Sequence, residues 1–223
     1  FYLKTFGKLQ FCIYILVYFS FYLAIMNCLK GTKINNLLKI WPQSTIATSS
    51  WLETLGISHQ LRAIYEQSAW IKRIGHGAFM KDGDHVSWEG ALYALQQYLQ
   101  LPIHVAAKTA LEFQGAAHFI QSGKGQSVIL FGAPLAKLPS WFKKHDWQKK
   151  IHFITTNLFF KADSIGLVEK KISSISLRIS SRERALFELL HLIPHEQSID
   201  EALIIFESLR TLRPELLQEL LHH

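Results

Sequence analysis

Thr48-Ser-Ser-Trp-Leu-Glu-Thr-Leu-Gly-Ile-Ser-His-Gln-Leu-Arg-Ala-Ile-Tyr-Glu-Gln-Ser68, followed by Ala69-Trp-Ile-Lys-Arg-Ile-Gly-His-Gly-Ala-Phe-Met-Lys81, is the stretch that decides the fold. Trp51, Leu52 and Leu55 fall on one face of a short helix. Gly56 ends that helix, since a residue without Cβ enters the left-handed region that a sharp turn needs. Ser58 offers a hydroxyl to cap the next helix, in which Leu61, Ile64 and Tyr65 recur at helical spacing. Two apolar β-runs, Trp70 to Ile74 and Ala78 to Met80, flank the hairpin punctuation Gly75-His76-Gly77. Helix, turn, capped helix and hairpin in this order predict a winged helix-turn-helix, a fold that reads DNA.

Charge placement assigns the contacts that such a module would make. Between Gly31 and Lys81 lie six basic residues (Lys33, Lys39, Arg62, Lys72, Arg73, Lys81) against two acids (Glu53, Glu66). The face opposite the apolar stripe carries Ser58, His59, Gln60, Arg62, Ala63 and Gln67, short or polar side chains suited to a major groove. There Gln60, Arg62 or Gln67 would reach base edges, while Lys72, Arg73 and His76 on the wing would touch phosphate or the minor groove. The alternative is a protein-interaction module with a merely solvated polar face. A single module of this kind buries only about 600–1,000 Å², so useful affinity requires self-association or paired sites.

Outward from this stretch, the organisation is that of two domains after a leader. The chain has 223 residues, a net charge of +7 and 49% hydrophobic residues, enough apolar content for folded cores and a bias toward anionic partners. Residues 1–25 form an apolar leader, uncharged from Leu9 to Asn27 and preceded by Lys4 and Lys8. Its length suits a membrane span. Its Phe/Tyr/Ile/Leu/Lys composition, and a first Met at Met26, point instead to upstream sequence outside the native protein. The DNA-binding domain is expected over 26–84. It includes a supporting helix with Ile34, Leu37, Leu38 and Trp41 on its stripe, ended by Pro42 and closed by the polar linker Lys81-Asp-Gly-Asp84.

Residues 85–223 read as a mixed α+β domain, which makes the whole chain α+β. A helix capped by Ser87 is expected through Leu99, and another over Lys108 to Phe119. Strands are expected at Gln126 to Phe131, at Lys150 to Thr156 and, with looser alternation, at Lys171 to Ile179. Two capping boxes, Ser180-Ser-Arg-Glu183 and Ser198-Ile-Asp-Glu201, announce helices. The first should bury Ala185, Leu186, Leu189 and Leu190, the second Ala202, Leu203 and Phe206. Pro214 then lets a last helix start. In Trp141, Phe142 and Trp147, interleaved with Lys143, Lys144, Lys149 and Lys150, the aromatics read as core and the lysines as a solvated face. Stacking on nucleic acid is the alternative for that segment.

Catalytic signals are weak. Ser122-Gly-Lys-Gly-Gln-Ser127 lacks the spacing of a phosphate-binding loop and precedes a strand, so it reads as a solvated turn. There is no HExxH, no GxSxG and no acidic cluster fit for a divalent metal, and Cys12 and Cys28 form no zinc motif. Lone histidines such as His104, His118 and His152 read as structural. No catalytic residue, metal or cofactor is expected.

Longer blocks carry a family resemblance: Val86-Ser-Trp-Glu-Gly-Ala-Leu-Tyr-Ala-Leu-Gln96, Lys108-Thr-Ala-Leu-Glu-Phe-Gln-Gly-Ala-Ala-His118, Leu138-Pro-Ser-Trp-Phe-Lys-Lys-His-Asp-Trp147 and Ile179-Ser-Ser-Arg-Glu-Arg-Ala-Leu-Phe-Glu-Leu-Leu190, with Leu212-Arg-Pro214 beyond. Over about Lys33 to Leu221 the chain resembles the AbiE-type antitoxins of type IV toxin–antitoxin systems. The resemblance implies a cytoplasmic bacterial regulator whose N-terminal winged helix binds inverted repeats in its own promoter. It also implies a C-terminal domain that opposes a nucleotidyltransferase-like toxin without a stable complex. Two departures stand out: the leader, and Ala69 before Trp70, where a glycine is usual. The rival readings are a nucleic-acid-processing enzyme using the C-terminal domain and, if the leader is genuine, a membrane-anchored regulator.

Overall fold

The structure is a computed structural model that describes residues 33–115, 127–159, 164–209 and 211–222. The leader, His118 and the turn at 122–126 lie outside the described residues. The chain divides after Pro42, and residues 43–223 form one compact unit. On the other side of that division is helix α1 (33–40). Its stripe residues Ile34 and Leu37 are buried, and the Trp41 amide donates to the Leu37 carbonyl at 2.9 Å just before Pro42 stops the helix.

Within residues 43–223 the chain builds two sheets. The smaller is antiparallel, in the order β1 (Ala47–Thr48), β3 (Ala78–Lys81), β2 (Ile71–Gly75), with helices α2 (Ser49–Thr54) and α3 (His59–Gln67) between β1 and β2. Thr48 caps α2, its hydroxyl accepting from the Trp51 amide, and Ser58 caps α3 by accepting from Leu61. Gly56 has φ +72° in the turn between the helices, the conformation expected of it. The larger sheet has the order β6 (Lys150–Thr155), β5 (Ser127–Gly132), β4 (Ile103–Val105), β8 (Ile175–Ser180), β7 (Leu167–Ile172). It is mixed: β5 pairs with β6 and β4 with β8 in parallel, and the remaining pairs are antiparallel. Helices α4 (Trp88–Gln97), α5 (Ala107–Phe113), α6 (Ser140–Lys144), α7 (Arg182–His191), α8 (Ile199–Ser208) and α9 (Pro214–Leu221) connect and follow its strands. The class is α+β.

One hydrophobic core runs from Ile46 and Ala78 beside the small sheet, through Leu92 and Leu95 of α4 and Leu130 and Phe131 of β5, to Leu189 and Ile205. Trp141, Phe142 and Trp147 belong to it, while Lys143, Lys144 and Lys150 are exposed, as the core reading of that segment expects. Against the sheet, α7 contributes polar as well as apolar groups. Glu188 is fully buried, and its carboxylate accepts from four donors: His104 Nε2 (2.8 Å), Arg184 Nε (2.9 Å), Ser180 Oγ (2.7 Å) and the Ala107 amide (3.0 Å). Burial alone would raise its pKa, but the His104 imidazole, Arg184 and the Ser180 hydroxyl outweigh burial and hold it below the usual carboxylate range.

Several sequence expectations need correction. The looser alternation over Lys171 to Ile179 is a hairpin of two strands, β7 and β8, turning at Ser173 with φ +52°. No glycine or asparagine marks that turn. The cap of α7 is Ser181, one residue later than the box implied. Leu190 is exposed, and so are Leu203 and Phe206 of α8 (55% and 51%), because the buried stripe of α8 runs through Ala202 and Ile205.

Candidate nucleic-acid interface

The region from Thr48 to Lys81 is tied together by a few local bonds. The Ser49 amide donates to the Gly77 carbonyl at 2.8 Å, fixing the start of α2 to the hairpin tip. Gly75 lies so close to α6 that a Cβ there would stand 2.6 Å from Trp141 Cβ, so the absence of a side chain lets the β2 end of the hairpin seat on Trp141. Trp51 of α2 stacks on Tyr98, with ring centroids 4.3 Å apart and planes 14° apart. Between α3 and β2, Ala69 sits at φ +52°. This is the position where the family resemblance leads one to expect glycine, and the left-handed backbone is the physical reason.

The proposed contact residues do not share one environment. Ser58, His59 and Gln60 are exposed at the leading end of α3, with the Ser58 hydroxyl engaged in the cap. Ala63 is half-buried and Gln67 is exposed at the far end. Lys72, Arg73 and His76 are exposed on the hairpin. Arg73 is already engaged: its Nε and Nη2 donate to the Glu66 carboxylate at 3.2 and 3.0 Å, and its guanidinium lies 5.0 Å from the centre of the Phe79 ring. The Glu66 hydrogen bond raises the Arg73 pKa further above its ordinary value.

Arg62 departs from its expected role. It is 4% exposed, and its Nη1 donates to the Ile57 carbonyl at 3.0 Å and to the Ser49 carbonyl at 3.4 Å. Its Nη2 donates to Glu53 Oε1 at 2.9 Å. With its donors directed at α2 and the turn, the guanidinium staples the two helices together and is not offered to a base edge. The inward face of α3 is thus centred on Arg62 and Tyr65, with Leu61 and Ile64 only half-buried.

Two family models match the chain. Residues 30–122 match the transcriptional regulator AbiEi antitoxin N-terminal domain, and residues 125–223 match the transcriptional regulator AbiEi antitoxin of type IV TA systems. The chain belongs to the AbiEi antitoxin family. The family's description as transcriptional regulator and type IV antitoxin therefore applies to it. In fold, this AbiEi chain is similar to the RV2827C protein from Mycobacterium tuberculosis at a TM-score of 0.54. The alignment has 13% identity and covers 85% of this chain and 69% of that one, a likeness of fold alone. No curated protein sequence matches the chain. Among the described residues there is no cluster of His, Cys, Asp and Glu able to hold a metal ion, and no helix long and apolar enough to cross a membrane.

Proposed function

We infer that this AbiEi chain is a cytoplasmic autorepressor that binds DNA through the segment Thr48 to Lys81, used as a winged helix-turn-helix. The observation that supports the reading most directly is the exposed, capped leading end of α3, Ser58 to Gln60, accompanied on the hairpin by exposed Lys72 and His76. In this reading α3 enters the major groove with His59, Gln60 and Gln67 toward base edges, and Lys72 and His76 meet the backbone. Ser58, Ala63 and Arg73 contribute position: a cap, close approach, and an α3-to-hairpin tie that leaves part of the guanidinium for phosphate. Arg62 holds the two helices in register.

The part from His85 onward carries the antitoxin activity against a nucleotidyltransferase-like toxin, without a stable complex between the two. The DNA partner is an inverted repeat in the protein's own promoter, which gives two half-sites and a reason for self-association on DNA. Gel-shift titration against the DNA upstream of the gene tests this reading. Specific binding is expected to fall steeply with salt, and Gln60→Ala should erode the preference over random DNA. Equal affinity of the wild-type chain for random DNA overturns the autorepressor reading.

A further inference from the structure

A cavity of about 150 Å³ lies where the parallel strands β5 and β6 run out, bounded among others by His104, Phe131, Thr156, Ser164, Arg178 and Arg184. The carboxyl ends of adjacent parallel strands are where open sheets receive ligands. Two arginines are among the described residues that line it. Arg184 is matched by Glu188 at 2.9 Å. Arg178 adds a second guanidinium from β8, whose Nη2 donates to the Leu101 carbonyl at 3.0 Å. Arg178 stands opposite Glu169 in the β7–β8 register, but no ion pair to Arg178 exists among the described residues. Among the described residues, Arg178 and Arg184 bring two guanidiniums to a partly desolvated space, where an anion would be held more strongly than in water.

The remaining lining fits the same class of ligand. Thr156 Oγ1 accepts from the Leu158 amide at 3.1 Å and lies within hydrogen-bond distance of His191 Nε2, at 3.4 Å. Phe131 is buried and gives one apolar wall. At about 30 Å³ per water in the liquid, the volume equals about five waters, enough for an oxyanion with a few further atoms.

We propose that this cavity is a binding site for a small oxyanion, a phosphate or a carboxylate, held between Arg178 and the Arg184–His104 side. Occupancy acts on the fold through groups already described. His104 and Arg184 both bind Glu188, and Glu188 accepts the amide of Ala107 at the start of α5. An anion there shares Arg184 and His104 with Glu188, so its occupancy bears on the contact of α7 with α5 and the sheet, in the part of the chain assigned above to the antitoxin activity. The site itself does not depend on the DNA reading.

The test is calorimetric titration of the full chain with inorganic phosphate and, separately, with acetate, at an ionic strength held constant with chloride. Saturable binding of one of the two anions is expected, and which one binds identifies the ligand as phosphoryl or carboxylate. Arg178→Gln should weaken it by about tenfold or more, the scale of one lost charged hydrogen bond. Lys72→Gln, which removes a cation from the proposed DNA face, should leave it unchanged. Thr156→Val serves as a second cavity variant should Arg178→Gln fail to fold by circular dichroism. Absence of saturable binding by both anions, equal binding in a folded cavity variant, or loss in Lys72→Gln overturns the proposal.

Discussion

Arg62 shows how one residue can change what a motif means. A helical wheel places it three positions before Tyr65, so the direction inward was readable, but an arginine among polar neighbours reads by type as a groove contact. The structure sends its guanidinium to the Ile57 and Ser49 carbonyls and to Glu53. Arg62→Ala removes these bonds and leaves buried acceptors unsatisfied, a loss of about 2–3 kcal/mol in urea unfolding. At a temperature where the variant is folded, its preference for specific over random DNA should persist. An unchanged stability together with lost sequence discrimination would restore Arg62 as a base contact. Glu183 makes a second prediction at this scale. It is 2% exposed and accepts from Arg213 Nε, Nη2 and backbone amide at 2.9–3.1 Å. Burial works against ionisation, but the Arg213 bonds prevail and set its pKa at about 2. Because the folded value lies below the unfolded value of about 4.3, the stabilisation is complete above that value and is lost as pH falls toward 2. Melting temperatures of wild type and Glu183→Gln should differ most above pH 5 and converge toward pH 2. A gap that stays constant over this range would refute the assignment.

At the scale of elements, local signals succeeded where a residue type has one physical use and failed where tertiary contacts decide. Gly56, Ser58, Ser198 and Pro214 each mark a turn, cap or helix start where the structure has one. Strand β4 has three residues and no alternation to betray it; it exists because β5 and β8 pair on either side of it. The face of α8 depends on which neighbours cover it, so an all-apolar run such as Ala202 to Phe206 cannot declare its inner side. The site was legible in the same uneven way: the cap and the hairpin could be read, the partners that Arg62 finds on α2 and the turn and the Arg73–Glu66 pair could not. Two substitutions test the placement of the hairpin. Gly75→Ala puts a Cβ 2.6 Å from Trp141 Cβ and should cost about 1–3 kcal/mol, weakening DNA binding as the β2 end leaves α6. Ala69→Gly should instead stabilise by about 0.5–1 kcal/mol, since the φ of +52° carries less strain without a Cβ, though the unfolded chain gains freedom. Both are read from urea midpoints, and a stabilising Gly75→Ala would show that the hairpin does not rest on Trp141.

The division of labour proposed for the whole molecule is functional, and the packing of residues 43–223 does not repeat it. Ile46 and Ala78, from the segment assigned to DNA, lie in the same core cluster as Leu95, Phe131 and Leu189. Trp51 stacks on Tyr98 at the end of α4, and a Cβ at Gly90 would stand 1.8 Å from the Ser44 carbonyl oxygen. Such contacts join the two parts through a shared core. Two domains joined by a linker unfold in separable steps, whereas a shared core makes unfolding cooperative. Residues 43–223 should therefore give one calorimetric transition, with the van't Hoff enthalpy equal to the calorimetric one. Arg62→Ala, in the segment assigned to DNA, and Glu188→Gln, in the C-terminal part, should lower the same transition. Two resolved transitions, each moved by only one of the variants, would mean that the DNA-reading segment is mechanically independent. A single transition would mean that stress on one activity is felt by the other: a substitution that loosens the C-terminal part would also weaken operator binding, and operator DNA would raise the melting temperature of the whole unit.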